Sequence, residues 1–154
     1  MKIDRKYGDL LPFNYQYEQS AVIYRILAQA DTQYSSWLHE NGYLLHERKR
    51  FKLFCYSPFI FEKVRPLPEA GCLKIIGERA VWYISFIPEK STLEFIQGIF
   101  AHQSFSIGNK KYQVAFDVVG VEAIPMPQLS EGMTFVALSP ICVKLHEDNK
   151  TQYL

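Results

Sequence analysis

The hydrophobic period of this chain switches between that of a helix and that of a strand. Along YEQSAVIYRILAQAD, which follows Pro12 and Asn14, Ile23, Ile26, Leu27 and Ala30 fall at i, i+3, i+4 and i+7, the stripe of an amphipathic helix. Further on, Trp82, Ile84 and Phe86 alternate with Tyr83 and Ser85, and Tyr112, Val114, Phe116 and Val118 alternate again. That period of two belongs to half-buried strands. Between the two strands, Ser91-Thr92-Leu93-Glu94 forms an S-x-x-E capping box, and Leu93, Ile96 and Phe100 continue as a helix stripe to about Gln103. A chain that interleaves the two periods must lay its helices against a sheet.

Punctuation residues set the order. Asp31 reads as the N-cap of a second short helix, TQYSSWLHE, with Tyr34, Trp37 and Leu38 on one side, and Asn41-Gly42 stops it. FKLFCYSPFIF is too dense in apolar residues to be exposed on both faces and reads as one strand. Pro66 and Pro68 break the pattern after it. CLKII and AVWYISFI flank Gly77-Glu78-Arg79 with hairpin spacing, Pro88 ends the second, and SFSI, Gly108-Asn109 and KYQVAFDVVGV make another hairpin. With a weak strand near the N-terminus, the order is strand, helix pair, strand, strand, helix, strand pair. This predicts an α+β, ferredoxin-like (βαββαβ) domain, an antiparallel sheet with helices on one face. Residues 124–133, IPMPQLSEGM, read as a linker, and TFVALSPICVKL as a further strand with no partner left in the few polar residues after it.

With 154 residues, folding buries roughly 70% of the extended chain's surface, so a core needs no disulfide or metal. Cys55, Cys72 and Cys142 are scattered and odd in number, and they read as reduced core thiols. No stretch has the apolar length of a signal peptide or a membrane span, which predicts a cytoplasmic protein without a membrane partner. The net charge of +1 gives no global argument for a polyanion, but residues 1–77 carry 11 Lys and Arg against 8 Asp and Glu. The densest run, HERKRFK at residues 46–52, holds Arg48, Lys49, Arg50 and Lys52 between the aromatics Tyr43, Phe51, Phe54 and Tyr56. Such a run is either a solvated strand end or a nucleic-acid contact.

No phosphate loop, nucleophile elbow, HExxH, EF-hand or dinucleotide fingerprint is present, which removes most cofactor enzymes. Neither a metal nor another cofactor is expected. The titratable groups that remain lie between Tyr24 and Lys52. His39 ends the second helix, where an imidazolium is stabilised by the helix dipole whether or not it does chemistry. Tyr24 stands one residue from the apolar stripe and reads equally as a packing residue, Lys52 as a solvated strand end, and His46 as a surface residue. Cutting an RNA phosphodiester without metal takes a base for the 2′-hydroxyl, an acid for the leaving 5′-oxygen and a cation for the phosphorane. A His, a Tyr and a Lys cover those tasks.

Four segments, in order and spacing, carry a resemblance: LPFNYQYEQSAVIYRIL (residues 11–27), WLHENGY (37–43), FKLFCYSPF (51–59) and TFVALSPICV (134–143). Together they resemble the CRISPR-associated endoribonucleases of the RAMP superfamily, which cut precursor CRISPR transcripts within their repeats. The resemblance implies a metal-independent active site made of Tyr24, His39 and Lys52, leaving a 2′,3′-cyclic phosphate and a 5′-hydroxyl. It implies CRISPR repeat RNA as the partner, with Arg48, Lys49 and Arg50 as RNA contacts, and other CRISPR-associated proteins as further partners. A non-catalytic RNA-binding or assembly module of a CRISPR complex is the alternative on the same fold, and a small-molecule-sensing domain a more distant one. Family members continue into a second ferredoxin-like domain with a glycine-rich segment, and nothing after Val143 resembles either. The implied division is residues 1–123 as a ferredoxin-like domain, 124–133 as linker and 134–154 as the first strand of a second, mostly absent domain.

Overall fold

A computed structural model of the chain describes residues 1–45, 49–87, 89–125, 128–136, 144–147 and 150–153. Strands β1 (Lys2–Tyr7) and β2 (Leu10–Pro12) lead into helix α1 (Gln16–Ala30), which buries Gln19, Val22, Ile23, Ile26 and Leu27. The buried stripe therefore starts a turn earlier than expected and leaves Ala30 exposed. Helix α2 (Thr32–Glu40) matches the expected span, and the Asp31 side chain caps it by accepting from the Tyr34 N–H at 2.8 Å. Gly42, at φ +65°, ends the helix as expected, and the N–H groups of Asn41 and Gly42 both return to the Trp37 carbonyl.

Seven short strands follow: β3 (Tyr43–Leu45), β4 (Lys49–Phe51), β5 (Phe54–Tyr56), β6 (Ile60–Phe61), β7 (Val64–Leu67), β8 (Cys72–Ile75) and β9 (Arg79–Val81). Next come β10 (Ile84–Phe86), helix α3 (Glu89–Ala101), β11 (Ser104–Gly108) and β12 (Gln113–Gly120). The main sheet is antiparallel in the order β11, β12, β1, β9, β6, so the weak N-terminal strand is its centre. The β11–β12 hairpin is as expected, its turn held by Asn109 Oδ1, which accepts from the N–H groups of Lys111 and Tyr112 at 2.9 and 2.8 Å. Helix α1 packs on α3 and on β11.

Three expectations are corrected. FKLFCYSPFIF is three strands in three sheets: β4 pairs with β3, β5 with β10, and β6 with β9. Leu53 turns the chain through the left-handed region at φ 55°, and Pro58 offers no N–H to a ladder. CLKII and AVWYISFI do not pair with each other, since β8 lies between β2 and β7 while β9 lies between β1 and β6. The Lys63 carbonyl takes the N–H groups of Ile76 and Gly77 and so holds the intervening turn. On α3 the buried residues are Ser91, Phe95, Gly98 and Ile99, whereas Leu93 and Phe100 are 53% and 70% exposed. Ser91 sits inside the helix, hydrogen-bonded to the Tyr34 hydroxyl, rather than capping it. Gly98 faces α1 so closely that a Cβ there would stand 1.9 Å from the Ile26 carbonyl oxygen.

Of the cysteines, Cys72 is buried but Cys55 is exposed, so the latter is not a core thiol, and Cys142 lies outside the described residues. The chain divides into two units, Met1–Glu122 and Ala123–Leu154. In the second, β13 (Lys144–Glu147) pairs antiparallel with β14 (Lys150–Tyr153). Of the expected strand, residues 134–136 are not in a strand, residues 137–143 lie outside the described residues, and only Lys144 and Leu145 fall in β13, whose partner comes from the polar residues where none was expected. Among the described residues no helix is long and apolar enough to cross a membrane.

Candidate active site

Helices α1 and α2 are joined by one residue, so they fold back on each other, and a side-chain bond sets their level: the buried Ser35 hydroxyl donates to the Tyr24 carbonyl at 2.9 Å. With that register the half-buried Tyr24 meets the exposed His39. Their ring centroids are 5.0 Å apart at 79°, an edge-to-face contact. Phe54 also packs against Tyr24, at 5.6 Å and 77°. A ladder of aromatic contacts continues from Phe54 to Phe86 at 5.8 Å and to Phe95 at 5.1 Å, fastening the tyrosine to α3. Burial, and after it the neighbouring Tyr56 phenol, raises the Tyr24 pKa above the ordinary phenol value, so the hydroxyl stays protonated at neutral pH.

Lys52 reaches the same place from the following segment. Its ammonium donates to the Leu38 carbonyl at 2.5 Å and to the His39 carbonyl, at the negative end of α2. Gly42 makes the approach possible: a Cβ there would sit 2.7 Å from the Phe51 carbonyl oxygen, backbone of the segment that carries Lys52. Desolvation, then the nearby Arg50 charge, lowers the Lys52 pKa. An ammonium has three N–H donors, so the two carbonyls leave one for a ligand. The structure therefore brings together Tyr24, His39 and Lys52.

The other expected contacts are less gathered. Arg50 is exposed and donates to Asn41 Oδ1 at 3.1 Å; Lys49 opens β4; Arg48 and His46 lie outside the described residues. Sequence reasoning missed the residues that brace the site. Tyr34, the third residue of α2, shares its hydroxyl with Ser91 and, at 2.9 Å, with Tyr43, which ties α2 to α3 and β3. Burial pushes the Tyr34 pKa up to about 12 although the Ser91 bond opposes it. Lys90 lies over the Tyr34 ring, 4.6 Å from its centroid, and pairs with Asp31 at 3.5 Å. The sequence signal is Ser91, whose S-x-x-E pattern predicts a cap.

Comparison with known proteins bears on the family and the fold. The chain is 25% identical over 142 residues to the CRISPR-associated endoribonuclease Cas6 of Pyrococcus furiosus, a match covering 92% of this chain and 49% of that protein. It thus spans about half the length of the curated relative it matches. Among solved structures, an RAMP protein described as binding different RNA substrates superposes with a TM-score of 0.72 at 25% identity, covering 99% of this chain and 59% of the other. The product of a Cas6-related gene from Pyrococcus furiosus superposes at 0.70 and 22% identity, covering 100% of this chain and 60% of that one, a likeness of fold. The α+β, ferredoxin-like expectation is met. The family model described as CRISPR-associated protein Cas6, N-terminal, matches residues 10–117, which take in most of the described strands and the helices α1, α2 and α3, and the chain belongs to that family.

Proposed function

We propose that this chain is the catalytic N-terminal part of an endoribonuclease that cuts precursor CRISPR transcripts within their repeats, without metal, leaving a 2′,3′-cyclic phosphate and a 5′-hydroxyl. The observation that carries the reading is the contact of the Tyr24 and His39 rings beside an ammonium fixed to the His39 carbonyl. The endoribonuclease name of the Pyrococcus relative supports it. His39 takes the proton of the 2′-hydroxyl, whose oxygen attacks phosphorus as the bond to the 5′-oxygen breaks. Tyr24, kept protonated by burial, gives its proton to that leaving oxygen. Lys52 offsets the charge gathering on the phosphorane. Arg48, Lys49 and Arg50 hold flanking phosphates, and residues 134–154 open a second domain after the linker at 124–133.

Tyr24→Phe keeps both ring contacts and removes only the hydroxyl. In the full reading frame with a cognate repeat and a chelator present, it should lower the single-turnover rate by about 10²-fold, near the low end for one acid/base partner. Cleavage unchanged by this substitution would make Tyr24 a packing residue. Loss of cleavage in chelator, restored by a divalent ion, would overturn the metal-free mechanism.

The lowered Lys52 pKa gives a second test. The charged form is the useful one, and it is lost at a lower pH than in a free lysine, so the rate should decline on the alkaline side before the ordinary lysine range. Lys52→Arg keeps its charge beyond pH 12. A pH–rate profile of this variant should show the alkaline decline moved upward, even with a lower plateau from the altered geometry. An unmoved limb would assign the decline to another group.

A further inference from the structure

The main sheet leaves β11 at its edge, where backbone groups have no ladder partner. Arg25, exposed on α1, meets that edge through a hydrogen bond from one Nη to the Ser106 carbonyl at 2.9 Å. A guanidinium has five N–H donors, and Arg25 enters no ion pair among the described residues. Beside it a groove of about 310 Å³ runs between α1 and the sheet, with Lys6, Tyr7, Ser104 and Ser106 on its walls and Phe105 among its apolar residues. Tyr7 is 54% exposed, and its hydroxyl stands 3.3 Å from Ser106 Oγ. Lys6 is paired with Asp117 at 3.3 Å, and Asp117 also accepts from Ser104 at 2.5 Å. Lys6 thus has its charge offset by Asp117, and of the two cations on the groove's walls Arg25 is the one in no ion pair among the described residues.

A fork of N–H donors matches a phosphate, hydroxyls match a ribose 2′-OH, and an exposed phenol ring offers a face to an unstacked base. The volume is at the low end for small-ligand sites, which suits one nucleotide and not a duplex. Neighbouring residues on a helix point about 100° apart, so Tyr24 and Arg25 stand at one level of α1 on different faces. A single strand can pass from one to the other within a few nucleotides. We propose that this groove is a second RNA subsite, holding the ribose-phosphate of one nucleotide of single-stranded RNA that flanks the cut. The proposal rests on the endoribonuclease reading, but it is tested by binding alone.

The probe is a fluorescein-labelled single-stranded RNA about a dozen nucleotides long, titrated by anisotropy into the full chain over a series of salt concentrations. Arg25→Gln should weaken binding about tenfold and make the log–log salt slope shallower by about 0.7, the share of one phosphate on a single strand. Arg25→Lys should keep the slope and recover part of the affinity. Tyr7→Ala should weaken binding with no change of slope, and it stands as the deciding variant if Arg25→Gln lowers the melting temperature. Parent-like affinity and slope in Arg25→Gln and Tyr7→Ala would overturn the subsite, whatever happens to cleavage. So would inorganic phosphate at constant ionic strength, if it removed the whole Arg25-dependent share. Absence of repeat cleavage by the parent protein while the Arg25 effects hold would instead sink the endoribonuclease reading and leave the subsite standing.

Discussion

If the proposed function holds, His39→Ala should lower the single-turnover rate of repeat cleavage by about 10³-fold or more, within the range for loss of a proton-transfer partner, while RNA binding should stay near that of the parent. The side chain is exposed, so its removal costs little packing. Its ring touches Tyr24, and its carbonyl rather than its imidazole holds Lys52, so the ammonium keeps its place in the variant. Rate and affinity measured on the same preparation separate the two effects. Cutting at the parent rate would remove His39 from the chemistry and assign the proton transfer to another group. A parallel loss of affinity and rate would mean that His39 binds and does not transfer protons.

Gly98→Ala has the largest expected effect on stability. Alanine improves the intrinsic stability of a helix interior by up to about 1 kcal/mol relative to glycine. Here, however, the new methyl would lie 1.9 Å from the Ile26 carbonyl oxygen and 2.8 Å from its carbon, both backbone atoms of α1. Neither can rotate away, so the two helices must separate. Overpacking of that kind costs about 1–3 kcal/mol and occasionally more, and with rigid backbone on one side the upper end applies. The clash outweighs the propensity gain, for a net loss of about 2 kcal/mol. At roughly 4 °C per kcal/mol for a domain of this size, the melting temperature falls by about 8 °C. A variant as stable as the parent would show that α1 and α3 do not approach this closely.

Elements whose determinants are local were legible from the residues. Asp31 and Gly42 bracket α2, and Gly108-Asn109 turns the β11–β12 hairpin, because capping and turn chemistry act within a few positions. Elements decided by distant partners were not. FKLFCYSPFIF contains enough apolar residues for one strand, and only the positions of β3, β9 and β10 divide it. On α3, Leu93, Ile96 and Phe100 form a plausible stripe, yet the helix buries the side that carries Ser91 and Gly98. A hydroxyl and a hydrogen atom are what fit the Tyr34 hydroxyl and the α1 backbone. The site shows the same division. Tyr24, His39 and Lys52 were named through family resemblance, while their convergence depends on Ser35, Gly42 and Phe54, which carry no chemical signature.

The left-handed turn at Leu53 and the dispersal of the strands around it bear on when the site comes into being. Tyr24 and His39 are fifteen positions apart on a helix pair whose contacts are local, and such contacts form early. Phe54, which backs Tyr24, is aligned by Phe86 of β10, and the central strand β1 waits for β12, with Lys2 opposite Gly120. On a ribosome the two helices emerge with their rings able to meet, but the sheet under them cannot close until residue 120 has been synthesised. Pulsed hydrogen exchange during refolding should accordingly protect the amides of α1 and α2 before those of β1; simultaneous protection would show that the helix pair waits for the sheet. A chain stopped short of β12 would carry the Tyr24–His39 ring contact on an unfinished support, so the proposed site is held in place only once the domain is complete.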